Sequence, residues 1–91
     1  MAYCHLGHNC VLGNGIVMSN GIQVAGHVFI EDWAVIGGCV GIHQFVHIGQ
    51  LAMVGGMTRV DRDVPPYCLV EGHPGRLRGL NRVGLRRSGL E

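Results

Sequence analysis

The sequence predicts an all-β fold, a parallel β-helix of about three coils followed by a short irregular or helical tail. Three observations carry that expectation. Ten consecutive six-residue units run from Cys4 to Asp63, each with an aliphatic residue at its third place, from Leu6 and Leu12 to Val54 and Val60. The first places, among them Ile16, Ile22, Val28, Ala34, Val40 and Thr58, are small or β-branched. Past Pro65-Pro66 the pattern stops, and glycine, proline and arginine take over. A period of six is neither a helix period nor simple strand alternation, and short fixed repeats of this kind mark stacked solenoids.

Each unit justifies a short strand and a corner. Third-place aliphatics point inward and stack, and three units close one coil, so residues eighteen apart lie about 4.8 Å apart in neighbouring coils. Fifth places carry Asn14, Asn20, Asp32 and the glycines 26, 38 and 56, types that tolerate positive φ, so the fifth place is the expected left-handed corner residue. Pro65-Pro66 removes two consecutive amide donors, and coiling should falter there. Tyr67 to Val70 suits one last strand. From Glu71 the residues Gly72, Pro74 and Gly75 read as an extended loop, and a helix start is expected from about Asn81. The division is therefore 1–70 as β-helix, incomplete at its N-terminal end, and 71–91 as an extended loop leading into a truncated helical region. Met1 stands inside the repeat register without a capping unit, which solenoids need, so the chain reads as an interior piece of a longer protein.

Ninety-one residues allow one domain. The net charge of +1 excludes a general nucleic-acid binder, yet all seven basic residues are arginine, and Arg76, Arg78, Arg82, Arg86 and Arg87 cluster near the end. Such a cluster suits phosphate or an acidic protein. Cys4, Cys10, Cys39 and Cys68 lack metal-binding spacing and read as buried free thiols of a reducing compartment. No signal peptide, transmembrane segment or lipidation motif is visible, and a cytoplasmic location is expected.

The first, fourth and seventh units share one wall and read CHLGHN, IQVAGH and VGIHQF. Stacking by eighteen sets His8 over Gly26 over Gln44, and Asn9 over His27, so one edge carries a stripe of imidazole and amide groups with His5 and His43 beside it. An imidazole, with an unperturbed pKa near 6.5, serves as a general base at neutral pH, a role worth about 10²–10⁴ in rate. Gly26 has no side chain to shield its N–H, which suits it to stabilise an oxyanion. A metal site is disfavoured because no Asp or Glu lies in these three units. His43 stacks over Asp61, which is expected to orient its ring. His47 and His73 read as packing or loop residues.

At CHLGHNC, AGHV, GIHQF, DVPPY and the tail GLNRVGLRRSG the chain resembles the UDP-N-acetylglucosamine O-acyltransferase family, in one register over essentially all residues. The resemblance implies a homotrimer of left-handed β-helices with active sites between subunits. It implies transfer of an (R)-3-hydroxyacyl group from acyl carrier protein to the 3-hydroxyl of UDP-N-acetylglucosamine, the first step of lipid A synthesis, without metal or cofactor. It assigns His8 as general base and Gly26 as oxyanion holder. It gives His5, His27, His43 and Gln44 contacts to the sugar nucleotide, Asn81 and Arg87 its nucleotide portion, and Gly56 the gate on acyl-chain length. The arginine-rich tail would face acidic acyl carrier protein. Asn9 stands where the family often has an aspartate paired with the base, Val83 where it has a glutamate, and Ser88 where it has a second arginine. The family's N-terminal coils and C-terminal helical domain are not matched, so this piece alone is expected to be inactive. Three alternatives stay open: the sister N-acyltransferase acting on UDP-3-O-acylglucosamine, a metal-dependent hexapeptide enzyme of the carbonic-anhydrase type, and a fragment with no activity of its own.

Overall fold

A computed structural model describes residues 4–82. Two-residue strands recur every six residues and form three walls. The first wall holds β1 (His5–Leu6), β4 (Gln23–Val24), β7 (Gly41–Ile42) and β10 (Arg59–Val60). The second holds β2 (Val11–Leu12), β5 (Phe29–Ile30) and β8 (His47–Ile48). The third holds β3 (Val17–Met18), β6 (Val35–Ile36) and β9 (Met53–Val54), extended by β11 (Cys68–Glu71) and β12 (Arg76–Leu80). The architecture is the left-handed parallel β-helix expected from the resemblance.

Pairing runs in steps of eighteen: His5 faces Gln23, Gln23 faces Gly41, and Gly41 faces Arg59, all parallel. First- and third-place side chains both point inward and form the core, where Ile22, Ile30, Ile36 and Ile48 are wholly buried. Each such side chain contributes about 1.5–3 kcal/mol by leaving water. Leu6 is 39 % exposed because, among the described residues, a neighbouring coil covers it on one side only. The fourth places at Gly7 and Gly37 tolerate no bulk. A Cβ on Gly7 would lie 2.6 Å from the Gly26 nitrogen, and one on Gly37 2.6 Å from that of Gly56, so glycine is what lets successive coils approach there.

The corners differ from expectation. Positive φ falls on the sixth place, not the fifth: Asn9, Gly15, Gly21, His27, Trp33, Cys39, Phe45, Leu51 and Met57 all adopt it. The cause is the hydrogen-bond ladder. From His27 to Met57 each sixth-place N–H donates to the fifth-place carbonyl one coil back, as His27 does to His8 at 2.8 Å and Met57 to Gly38 at 2.7 Å, and Asn9, Gly15 and Gly21 in the first coil repeat the same geometry. That bond requires the chain to reverse at the donor. Polar fifth places act through their side chains instead; Asp32 Oδ1 accepts from the Asn14 N–H at 2.7 Å.

Coiling does falter at the prolines. Val64 bridges Ile48, and Leu69 pairs with Met53, offsets of sixteen rather than eighteen. The last strand forms at Cys68–Glu71, close to its expected place. The stretch expected as an extended loop instead folds back: β12 pairs antiparallel with β11, setting Cys68 opposite Leu80. Exposed β11 backbone groups at the end of the third wall supply the pairing that composition alone did not reveal. The helix expected from about Asn81 shows helical backbone at Arg82, the last described residue, and its remainder, 83–91, lies outside those described. Cys39 departs from the buried-thiol reading. It is exposed on a corner, whereas Cys4, Cys10 and Cys68 are half-buried, and no disulfide joins any of the four. The Cys4 and Cys10 thiols donate to the Ser19 and Ala25 carbonyls, each at 3.1 Å.

Candidate functional site

Three corners join the walls, and the chain's chemistry is unevenly divided among them. The corner from first to second wall carries His8–Asn9, Gly26–His27 and Gln44–Phe45 in successive coils. Its backbone is bonded through: His27 N–H reaches the His8 carbonyl at 2.8 Å, and Phe45 N–H reaches the Gly26 carbonyl at 3.1 Å. The side chains of His8, His27, Gln44 and Phe45 are exposed. The histidine stripe read from the eighteen-residue step is therefore present. His27 and Phe45 stack face to face, ring centres 4.9 Å apart and planes 6° from parallel.

Beside this corner, the first wall bears an open groove of about 420 Å³. His5 and His43 line it together with Gln23, Gly41 and Arg59, over a floor that includes Val24 and Ile42. A Cβ added to Gly41 would meet nothing within 4 Å, so the missing side chain opens the groove between Gln23 and Arg59. Gln23, Gly41 and Arg59 escaped the sequence reading, although they are the second-place residues stacked on His5. Following that outward-facing register would have found them.

His43 does not take Asp61 as its orienting partner. Arg59 holds that carboxylate, with Nη2 to Oδ2 at 3.6 Å, and the His43 Nδ1 lies 3.4 Å from the Gln44 carbonyl. Arg59 and Asp61 are the second and fourth places of one six-residue unit, close enough for the guanidinium to reach the carboxylate. His47, on the second wall, packs as expected, stacked on Phe29 with ring centres 4.8 Å apart and paired through Nε2 with Glu31.

Gly56 sits on the corner from third to first wall, so it bounds the groove-bearing wall on the edge opposite His8. A Cβ there would meet the Gly38 carbonyl at 3.6 Å, an ordinary contact, so the position accepts a side chain. Asn81 lies elsewhere. It is buried against the corner from second to third wall, where its Nδ2 donates to the Leu51 carbonyl and its N–H to the Tyr67 carbonyl, both at 2.7 Å. Arg87 lies outside the described residues. Among the described residues no group of three His, Cys, Asp or Glu side chains is arranged to hold a metal ion.

What such an edge does in other proteins is known by likeness. The family described as UDP-N-acetylglucosamine O-acyltransferase, domain 2, matches residues 63–91. The acyl-[acyl-carrier-protein]–UDP-N-acetylglucosamine O-acyltransferase of Synechocystis is 58 % identical over 90 residues, covering 99 % of this chain and 33 % of the relative. The enzyme of the same name from Gloeothece citriformis is 56 % identical over the same share. Among solved structures, the Arabidopsis UDP-N-acetylglucosamine acyltransferase superposes with a TM-score of 0.94 at 44 % identity, covering 97 % of this chain and 31 % of that one. The Francisella novicida enzyme gives 0.97 at 40 % identity, covering 100 % and 34 %. By sequence and by fold alike, this chain belongs to the UDP-N-acetylglucosamine O-acyltransferase family and spans about a third of the length of the relatives it matches.

Proposed function

We propose that this chain supplies the catalytic edge of an acyltransferase. The enzyme would move an (R)-3-hydroxyacyl group from acyl carrier protein to the 3-hydroxyl of UDP-N-acetylglucosamine, the first step of lipid A synthesis, in the cytoplasm. One observation carries the reading: the eighteen-residue coil brings His8, Gly26 and His27 to one corner, with the His8 ring exposed and its carbonyl bonded to His27 at 2.8 Å.

His8 takes the proton of the sugar 3-hydroxyl as that oxygen attacks the thioester carbonyl. The resulting oxyanion accepts a hydrogen bond from the Gly26 N–H, which no side chain of its own covers. Collapse breaks the carbon–sulfur bond, and the imidazolium returns its proton to the departing thiolate. Asn9 meets the left-handed corner that its position requires, with φ of 61°. Its amide oxygen orients by hydrogen bonding and lacks the charge that an aspartate would place beside an imidazolium.

His5, His43 and Gln44 border the acceptor, and the acyl chain runs toward the corner of Gly56. Asn81 contributes to the nucleotide region by fixing the segment that leads to Arg87, not through a free amide. Because Asn81 sits at the corner opposite the first wall, a site that uses it together with His8 draws on a second copy of the chain. This supports a homotrimer. Arg76, Arg78 and Arg82, at the same end, offer a basic face to the acidic carrier.

The test is to exchange these residues for the matching third of the Synechocystis relative and supply labelled 3-hydroxyacyl carrier protein. Labelled UDP-3-O-acyl-N-acetylglucosamine is expected. Transfer only to UDP-3-O-acylglucosamine, or to neither acceptor, would overturn the reading.

A further inference from the structure

His27 and Phe45 both occupy sixth places, eighteen residues apart, with φ of 60° and 64°. Identical backbone conformation one coil apart makes their side chains leave the corner in parallel, and the strand spacing then sets one ring on the other. The observed separation of 4.9 Å and tilt of 6° follow from that repetition. The other two corners do not reproduce the arrangement, since they stack Gly15, Trp33 and Leu51, and Gly21, Cys39 and Met57.

His47 provides an internal comparison. It has the same aromatic contact, with Phe29, but Glu31 also holds its ring through Nε2. For His27 no hydrogen bond to a ring nitrogen is present among the described residues, and the side chain is exposed. Its ring plane is therefore set by the stack, which leaves both nitrogens at the edge, free to meet a ligand.

We infer that Phe45 is a positioning residue, which fixes the plane of the His27 imidazole so that its ring nitrogens face the acceptor sugar nucleotide. The inference rests on the reading of this corner as the acceptor site. Phe45 does no chemistry itself; it removes the rotational freedom that an exposed imidazole would otherwise have to lose on binding.

The experiment uses the full-length chimera described above, with Phe45→Leu, Phe45→Tyr, His27→Ala and the His27→Ala/Phe45→Leu pair. Phe45→Leu should lower kcat/KM for UDP-N-acetylglucosamine about three- to tenfold, the size of a lost aromatic contact. KM for the carrier-bound donor and the melting temperature should stay unchanged, and Phe45→Tyr should restore the rate. In the His27→Ala background, Phe45→Leu should cost nothing further. The ring protons of His27, followed by NMR in histidine-labelled protein, should lie upfield in the parent and in Phe45→Tyr, and move downfield in Phe45→Leu. Additive losses, an equal loss with leucine and tyrosine, or a matching fall in melting temperature would each overturn the inference. Unmoved His27 resonances would overturn it even in a chimera without acyl transfer, a result that by itself counts against the proposed function.

Discussion

His8 has its carbonyl engaged and its ring outside, so a substitution at its side chain leaves the corner intact. His8→Ala in the chimera should therefore reduce turnover by about 10²–10⁴ with an unchanged circular-dichroism melt. Turnover near the parent's would remove His8 from the chemistry. Gly56 has room for a Cβ, so Gly56→Met should fold and should shift donor preference toward shorter acyl chains. A donor profile that matches the parent's would disprove the gate. Much at this scale was legible, because eighteen-residue stacking converts positions into neighbours: His8, Gly26, His27 and Gln44 are together as read. Arg59's capture of Asp61 and the burial of Asn81 were not legible. Both depend on how far a side chain reaches, and on a hairpin that local composition does not announce.

Strands of two residues hold together through the coil-to-coil ladder, and at Gly7 and Gly37 that ladder brings backbone so close that only glycine fits. Gly7→Ala would place a methyl group 2.6 Å from the Gly26 nitrogen, against backbone that cannot move aside. It should cost about 1–3 kcal/mol, as overpacking does. Gly41→Ala on the same wall meets nothing within 4 Å and should be nearly neutral. Chemical denaturation of the two variants, side by side, decides; equal midpoints would refute the close-approach argument. The strands themselves could be read from the period. The corner residue could not, because asparagine and aspartate at the fifth place suggest positive φ while Asp32 in fact caps a neighbouring amide. At the sixth place His27, Trp33 and Phe45 adopt left-handed φ despite their bulk, since the inter-coil bond there outweighs the local preference.

For the molecule as a whole, the three walls set the candidate site residues on different corners. The first wall lies between the histidine corner and the Gly56 corner, and Asn81 is fixed at the third. If the nucleotide region belongs to a neighbouring copy, mixed assemblies of His8→Ala and Arg87→Ala chains should recover activity that neither homogeneous protein has. Recovery no greater than the sum of the two would argue for sites built within single copies. The overall period, the inward faces and the break at Pro65-Pro66 were all visible beforehand, because each is written as a repeating local pattern. The antiparallel return of β12 was not, since it joins segments through pairing with the third wall.

That return strand has an effect on colloidal behaviour. A stack of parallel rungs invites another molecule to add its own rung at the open end, the route by which such columns lengthen into fibres. Among the described residues, the third wall ends in a reversed strand whose exposed side chains include Arg76 and Arg78. Incoming chains meet the wrong polarity and a row of positive charge, so growth from that face is discouraged.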